Sequence, residues 1–581
     1  MERVNRLHAQ LLASPEPSPA SINMFVSPRD GACPQHVYDA VLSPAALEYV
    51  ADLAAAFQLG VDQLHAERQA RRLATENGAM PHFLEETRAI REDATWRVDL
   101  QPKMLKDRRV DIGDVSPANR KFLLRALNSG AQVRVGGEVL GSCELLVICL
   151  FGDTTQGVQV DFDDGHCPTW NNTIKGHFNV LQAAQNLLEV EGETIVENPA
   201  LLVIRPRAWN MDEQYMIVNG RVVPGALFDF GMHLFHNGKH LLKNGTGPFL
   251  YLPKLEGYKE AALWRKIFEY TEKKLDLPHG SIKATVLIEN IFAAFEMDEI
   301  LFELRHHSSG LNCGMWDYTA SIVVNFRYKA AFLLPDRQQY VSMKSEFLRY
   351  YMDLLVLTCK RRHAPATTGM VPFVLAELPS DVPQSQAIER ARSGKALEAL
   401  AGSDGALVYD LALVKPVAEV FTAVRERTTN TECVAFDEAL FTEKLLTLPR
   451  GDVTLRSVEM NVRVILLYTL HWLYGHGTVV VNGCVEDSAT AEISRAQLWQ
   501  WVYHRVPITG TSQQVDASLI EEMLLKVIRQ ENHSKRHSPQ YIEAARHLVL
   551  LLSTMRSPPA FITTFLHQKE ALMKTLERFK I

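Results

Sequence analysis

The chain has 581 residues, 47% apolar and 22% charged, which is ordinary globular usage and long enough for two to four domains with at least one large core. Its 61 basic and 68 acidic residues leave a net charge of -7 with no basic stripe, which argues against a nucleic-acid partner because phosphate binding needs a basic footprint. The eight cysteines form no CxxC pair, which removes zinc-ribbon and thioredoxin-like sites and fits reduced thiols inside a cell.

In chain order, the N-terminal "MERVNRLHAQLLASPEPSPAS" lacks the apolar centre of a secretory signal. The run "LEYVADLAAAFQLGVDQLHAERQARRLATE" carries apolar residues at helical spacing and predicts a helical segment within 35–95. The polar run "KMLKDRRVDIGDVSPANRK" closes it. The longest apolar stretch, "ELLVICLF" at 144–151, is far too short to span a bilayer, so no membrane partner is expected. From about 120 to 420, β-branched runs ("VQVDF", "LLVIR", "KATVLIEN", "ASIVVNF") read as strands. Between them lie helical segments such as "EAALWRKIFEYTEKKLD" and "EMDEILFELRHH". This alternation predicts a parallel sheet, and its length favours a closed (β/α)8 TIM barrel over an open sheet. The stretch "LPSDVPQSQAIERARSGKALEALAGSDGA" reads as loop. Beyond about 435 come four amphipathic helix candidates, beginning with "SVEMNVRVILLYTLHWLYGHG" and "SATAEISRAQLWQWVYHR". The ending "LERFKI" carries no peroxisomal address, so a cytoplasmic location is expected, with a glyoxysomal one open. The domains expected are a helical clasp over 1–115, the barrel over 116–430 and a helical plug over 431–581.

Barrel enzymes place their chemistry where strands end at the C-terminal face. Three runs end in a charge: "LLVIR" at Arg205, "ATVLIE" at Glu289 and "GLNCGMWD" at Asp317. Two carboxylates without neighbouring His or Cys ligands suit a hard ion such as Mg²⁺, and Mn²⁺ takes the same donors. The segment Gly310–Gly314 would let a substrate approach the backbone. Asp487, before Ser-Ala-Thr-Ala-Glu, reads as a helix N-cap that can also face the barrel mouth. His306 and His307 have no partner at metal-ligand spacing and read as helix-end polar residues.

The segment "RHHSSGLNCGMWDY" (305–318) resembles the signature of the malate synthases, Gly-Leu-Asn-x-Gly-x-Trp-Asp-Tyr. "DFDDGHCPTWNNTIKGHFN", "PGALFDFGMHLFHN", "GPFLYLPKLEGYKEA", "GSIKATVLIEN" and "EDSATAEISRAQLWQW" resemble the same family, in its shorter, A-type class. The likeness runs from about 115 to 360 and again from about 455 to 505. It implies a TIM barrel with an N-terminal clasp and a C-terminal plug. It also implies an acyltransferase of the glyoxylate cycle that condenses acetyl-CoA with glyoxylate and hydrolyses the thioester to malate and CoA. Carried over by position, Glu289 and Asp317 match the Mg²⁺ ligands. The backbone around Gly314, Met315, Trp316 and Asp317 matches the glyoxylate cradle, and Asp487 matches the base. The catalytic arginine matches Arg205, with Arg207 open as its alternative.

The sequence departs from the family in several places. About 24 residues interrupt the expected first strand (134–157), as a surface excursion or a gene-model artefact. "TTGMVPF" (367–373) and "DGALVYDLALVKP" (404–416) differ where the acyl-CoA pocket is built. Two other readings stay open: another Mg²⁺-dependent barrel lyase acting on an acyl-CoA or 2-oxo acid, and a weakened relative kept as a binding or scaffold protein.

Overall fold

Eight parallel strands close into a barrel in the computed structural model of the chain, which describes residues 22–29, 31–129, 156–427, 436–531 and 537–567. They are β1 (Val110–Val115), β2 (Gly157–Asp161), β3 (Leu201–Arg205), β4 (Phe249–Leu252), β5 (Lys283–Ile288), β6 (Ser308–Cys313), β7 (Ala366–Val371) and β8 (Gly405–Val408). Each pairs with its sequence neighbours, and β8 closes onto β1. Side chains alternate faces along a strand. On β3, Leu201 and Val203 enter the inner core with Phe249, Tyr251 and Leu287, while Leu202 and Ile204 join the outer core against the helices. The same alternation sends Arg205 inward at the top of β3 and Glu289 inward just past the end of β5.

Four expectations are corrected. The "polar run" at 103–121 contains β1, buried along its whole length. Its acids hid the strand because they face the barrel interior, where Asp111 accepts from Tyr251 and from the Arg108 guanidinium. The barrel therefore begins at Val110 rather than 116. It also extends past 430, since Phe441 and Leu445 lie in the barrel core while Val453 starts a separate one. "ASIVVNF" is a helix, α2 (Met315–Asn325), not a strand. The barrel and the C-terminal helices enclose it, so its apolar residues run continuously and mask the helical period. The polar stretch after 378 contains a helix, Gln384–Leu400. Its fully buried residues are small (Ala387, Ala391, Ala399) or form the Lys395–Glu398 pair, so it lacks a broad apolar stripe. Residues 134–155 of the interrupting segment lie outside the described residues; Gly157, at its end, opens β2.

The clasp is one long helix, α1 (Pro44–Glu76), started by a Ser43 cap and Pro44 at its first position. Arg68 ties α1 to the barrel: it forks onto Glu260 at 2.8 and 2.6 Å and donates to the carbonyl of Lys254. The C-terminal domain packs helices Leu455–Leu473, α3 (Ser488–Tyr503), Ala517–Glu531 and Pro539–Thr554 around its own core. The α3 helix lies on α2, which sets the plug over the barrel mouth.

Candidate active site

One cavity at the C-terminal ends of the strands is lined by Arg205, Glu289, Gly314, Met315, Trp316, Asp317 and Asp487. The sequence-predicted residues are thus brought together from β3, β5, the β6–α2 turn and the plug. Arg207 is not among them. Its side chain turns behind the barrel wall, where Nε donates to Asp229 at 2.8 Å and Nη2 to Glu213 at 2.7 Å. Two residues along a strand share a face, but the strand ends at Arg205, so the alternation no longer holds at 207.

The Arg205 guanidinium is buried between acids. Nη2 pairs with Asp164, with Asp163 at 3.2 Å and with Glu289 at 3.6 Å, and Nη1 reaches Asp161 at 3.5 Å. Burial opposes its charge, yet these carboxylates raise its pKa well above the ordinary value. Its Nε is buried without a hydrogen-bond partner among the described residues, a donor left for a ligand.

Asp317 sits in the first turn of α2 rather than at a strand end. Ligand oxygens of Asp164, Glu289 and Asp317 lie within 4.8 Å of one another, all buried. Asp317 Oδ1 has no hydrogen-bond partner among the described residues. Burial, and then the neighbouring acids, push the Asp317 carboxyl well above its usual range, and burial raises Glu289 as well. A dry cluster of hard oxygen donors with an orphaned carboxylate atom fits a divalent cation of the Mg²⁺ kind. Asp164 is already engaged by Arg205, by Lys254 at 2.6 Å and by the Ser488 hydroxyl, which leaves Glu289 and Asp317 as the pair to hold the ion. Burial acts against the Asp164 charge, but Arg205 and Lys254 hold its carboxyl below the ordinary range.

Packing requires both glycines, Gly310 and Gly314. Gly310 has φ +113°, and a Cβ there would lie 2.2 Å from the Pro365 carbonyl oxygen. At Gly314 a Cβ would sit 2.5 Å from Glu289 Cγ, so glycine makes room for the carboxylate. The Gly314 N–H is also engaged, donating to Tyr351 Oη at 3.0 Å. Of the expected cradle this leaves the N–H groups of Met315, Trp316 and Asp317, the first three of α2, which have no acceptor within the helix.

Asp487 caps α3 in a capping box with Thr490: Oδ1 accepts the Thr490 N–H at 2.9 Å. The capping expected from sequence therefore coexists with a place in the cavity wall. Burial and the Asp164 charge raise its carboxyl above the ordinary value.

Sequence reasoning gave no role to Lys254, Asp161, Asp163, Asp164, Asp114 or Ser488. Lys254 follows β4 by two residues, and its ammonium lies 2.6 Å from Asp163 and Asp164 and 3.6 Å from Asp317. The strand-end rule that singled out Arg205 would have found it in "LYLPK", and would have found the acids in "VQVDFDDG". Of the departing segments, Gly369, Met370, Pro372 and Leu407 line the cavity. Asp410 is structural, accepting from Leu375 and Ala412 backbone N–H groups. His307 meets Glu272 and His279 at the opposite end of the strands, a grouping its sequence spacing hid.

The family described as "Malate synthase, TIM barrel domain" matches residues 201–448, and "Malate synthase, C-terminal" matches 452–569. The malate synthase of Myxococcus xanthus is 37% identical over 535 residues, covering 90% of this chain and 93% of that protein. This chain belongs to the malate synthase family. Malate synthase A of Escherichia coli is 34% identical, with 90% and 94% covered, and the glyoxysomal malate synthase of Gossypium hirsutum is 37% identical, with 87% of each covered. The chain is accordingly an acyltransferase with malate synthase activity. Among the described residues, no single helix is long and apolar enough to cross a membrane.

Proposed function

We propose that this malate synthase condenses acetyl-CoA with glyoxylate through Arg205, Asp487 and the first turn of α2, with Mg²⁺ held by Glu289 and Asp317. The observation that carries this reading is the convergence of these residues on one cavity. Arg205 Nε and Asp317 Oδ1, both buried without a hydrogen-bond partner among the described residues, support it. Mg²⁺, when bound, supplies Lewis-acid polarisation of the glyoxylate aldehyde. The N–H groups of Met315, Trp316 and Asp317 take the glyoxylate carboxylate at the helix N-terminus. Asp487 removes a methyl proton of acetyl-CoA, and its raised pKa strengthens it as a base. A thioester methyl is so weakly acidic that the developing enolate oxygen needs a fixed donor. Arg205 Nε provides one, a contribution of about 3–4 kcal/mol where such donors are removed. The plug excludes water during this step, and the Ser488–Asp164 bond joins it to the barrel beside the reacting groups. We also place the chain in the cytoplasm, a reading supported by the unpaired thiols of Cys313, Cys359 and Cys484.

The test is thiol release from acetyl-CoA by the purified protein, with and without glyoxylate and Mg²⁺, beside Asp487→Asn. Release should require both additions and fall about 10²–10⁴-fold in the variant. A folded wild-type protein that releases no thiol would overturn the reaction. A variant that keeps its rate would overturn the assignment of the base.

A further inference from the structure

Asp114 stands at the end of β1 with φ +53°, a left-handed conformation that a residue with a side chain rarely adopts. The β1–β2 register shifts between Ile112 and Val115, so Asp114 lies on a bulge, a device that re-aims a side chain beside a site. The bulge is pinned from both sides. The Asp114 N–H donates to Gln159 Oε1 at 3.3 Å, and its carbonyl oxygen packs so close to Gly165 that a Cβ there would sit 2.7 Å away. The result is a buried carboxyl in the wall of the cavity that Asp487 also lines, with Oδ2 left without a hydrogen-bond partner among the described residues.

We propose that Asp114 is a positioning residue for the base: its carboxyl shares a proton with Asp487, holds that side chain toward the acetyl-CoA methyl group, and sets the pH at which the base becomes active. The inference rests on the reading of Asp487 as the base. Two buried carboxyls that act on each other's charge do not both ionise readily, so one proton remains in the pair and the two titrate together. The other groups facing Asp114 do not cancel this. Asp161 and Asp164, after β2, add negative charge, and Tyr409, after β8, is neutral. Arg205 is the cation among them, and it is already paired with Asp161 and Asp164. Burial and the Asp487 charge accordingly raise the Asp114 carboxyl well above its usual range. With the proton on Asp114, its O–H donates to the Asp487 carboxylate, and Thr490 holds Oδ1 of that carboxylate from the other side.

Asp114→Asn keeps a donor and removes the shared proton. Asp114→Gly removes both and relaxes the backbone, so loss of fold is not expected to confuse the result. The pH dependence of kcat and of kcat/KM for acetyl-CoA should keep its acid limb in the Asn variant, which still donates to Asp487, and move it up by about one pH unit in the Gly variant, which does not. The plateau kcat should stay within about threefold of wild type in the Asn variant and fall about tenfold in the Gly variant, with KM for glyoxylate unchanged. An acid limb unmoved in both folded variants would overturn the proposal, and so would a Gly variant with a wild-type plateau. Asp487→Asn separates the two readings. If it retains activity, the base assignment fails; if it is inactive while the Asp114 variants behave as wild type, only this inference fails.

Discussion

Lys254→Met tests the electrostatics of the site most sharply. The substitution keeps the length of the side chain and removes the ammonium that lies 2.6 Å from both Asp163 and Asp164 and 3.6 Å from Asp317. At an effective dielectric of about 20, each 2.6 Å contact carries about 6 kcal/mol of gross attraction, most of it offset by the cost of taking the ions out of water. Removing one partner from such a buried network leaves the other charges uncompensated and costs about 3–5 kcal/mol. The backbone at Lys254 should stay in place, because its N–H donates to Glu289 Oε2 at 3.1 Å and its carbonyl accepts from Arg68 at 2.8 Å. Thermal melting without divalent ions should therefore show the barrel transition lowered by about 5–10 °C. Mg²⁺ should raise the variant's melting temperature more than the wild type's, because the ion is the other cation that can reach Glu289 and Asp317. A variant that melts with the wild type in EDTA, and gains no more from Mg²⁺, would refute this account of the acid cluster.

The metal-free protein should become more stable as pH falls from about 8.5 to 6.5. Asp161, raised by burial to about 7, and Asp317 and Asp114, raised well above the carboxylate range, hold protons in the folded state that the unfolded chain has shed. Each such proton adds about 1.4 kcal/mol per pH unit once pH is below the folded-state pKa of its group, about 7 for Asp161, and the gain is lost as pH rises through that value. Below about 6.5 the gain should level off, because a second set of groups offsets it. His166 and His233, both lowered by burial to about 3, and His307, lowered to about 4, must stay neutral in the fold while the unfolded chain protonates. Melting scans in EDTA check both limbs, and a steady fall from 8.5 to 6.5 would contradict the assignment. Gly314→Ala should weaken activation by Mg²⁺ about tenfold or more while leaving the melting temperature within a few degrees, because the added Cβ displaces the Glu289 carboxylate. An unchanged Mg²⁺ activation constant would show that Glu289 tolerates the shift.

Several features were determined by the sequence alone. The alternation of β-branched runs with helical segments is a local consequence of strand and helix geometry, and it was enough for a closed parallel barrel. "LLVIR" and "ATVLIE" marked the strand ends that present Arg205 and Glu289, because a charge closing an apolar strand has few other places to go. The motif around Asp317 and the segment around Asp487 carried the family likeness. Tertiary structure decided the rest. Asp114 and Asp111 looked like loop acids until the barrel placed them in its interior. "ASIVVNF" looked like a strand because α2 is covered on two sides, and burial from two sides erases the helical period. Arg205 and Arg207 are equivalent in "RPR", and only the end of β3 and the waiting Asp229 and Glu213 separate one facing the cavity from one locked behind it. Lys254, Asp164 and Ser488 meet from three distant segments. Their contact depends on barrel closure and on the seating of the plug, and local sequence pattern reports neither.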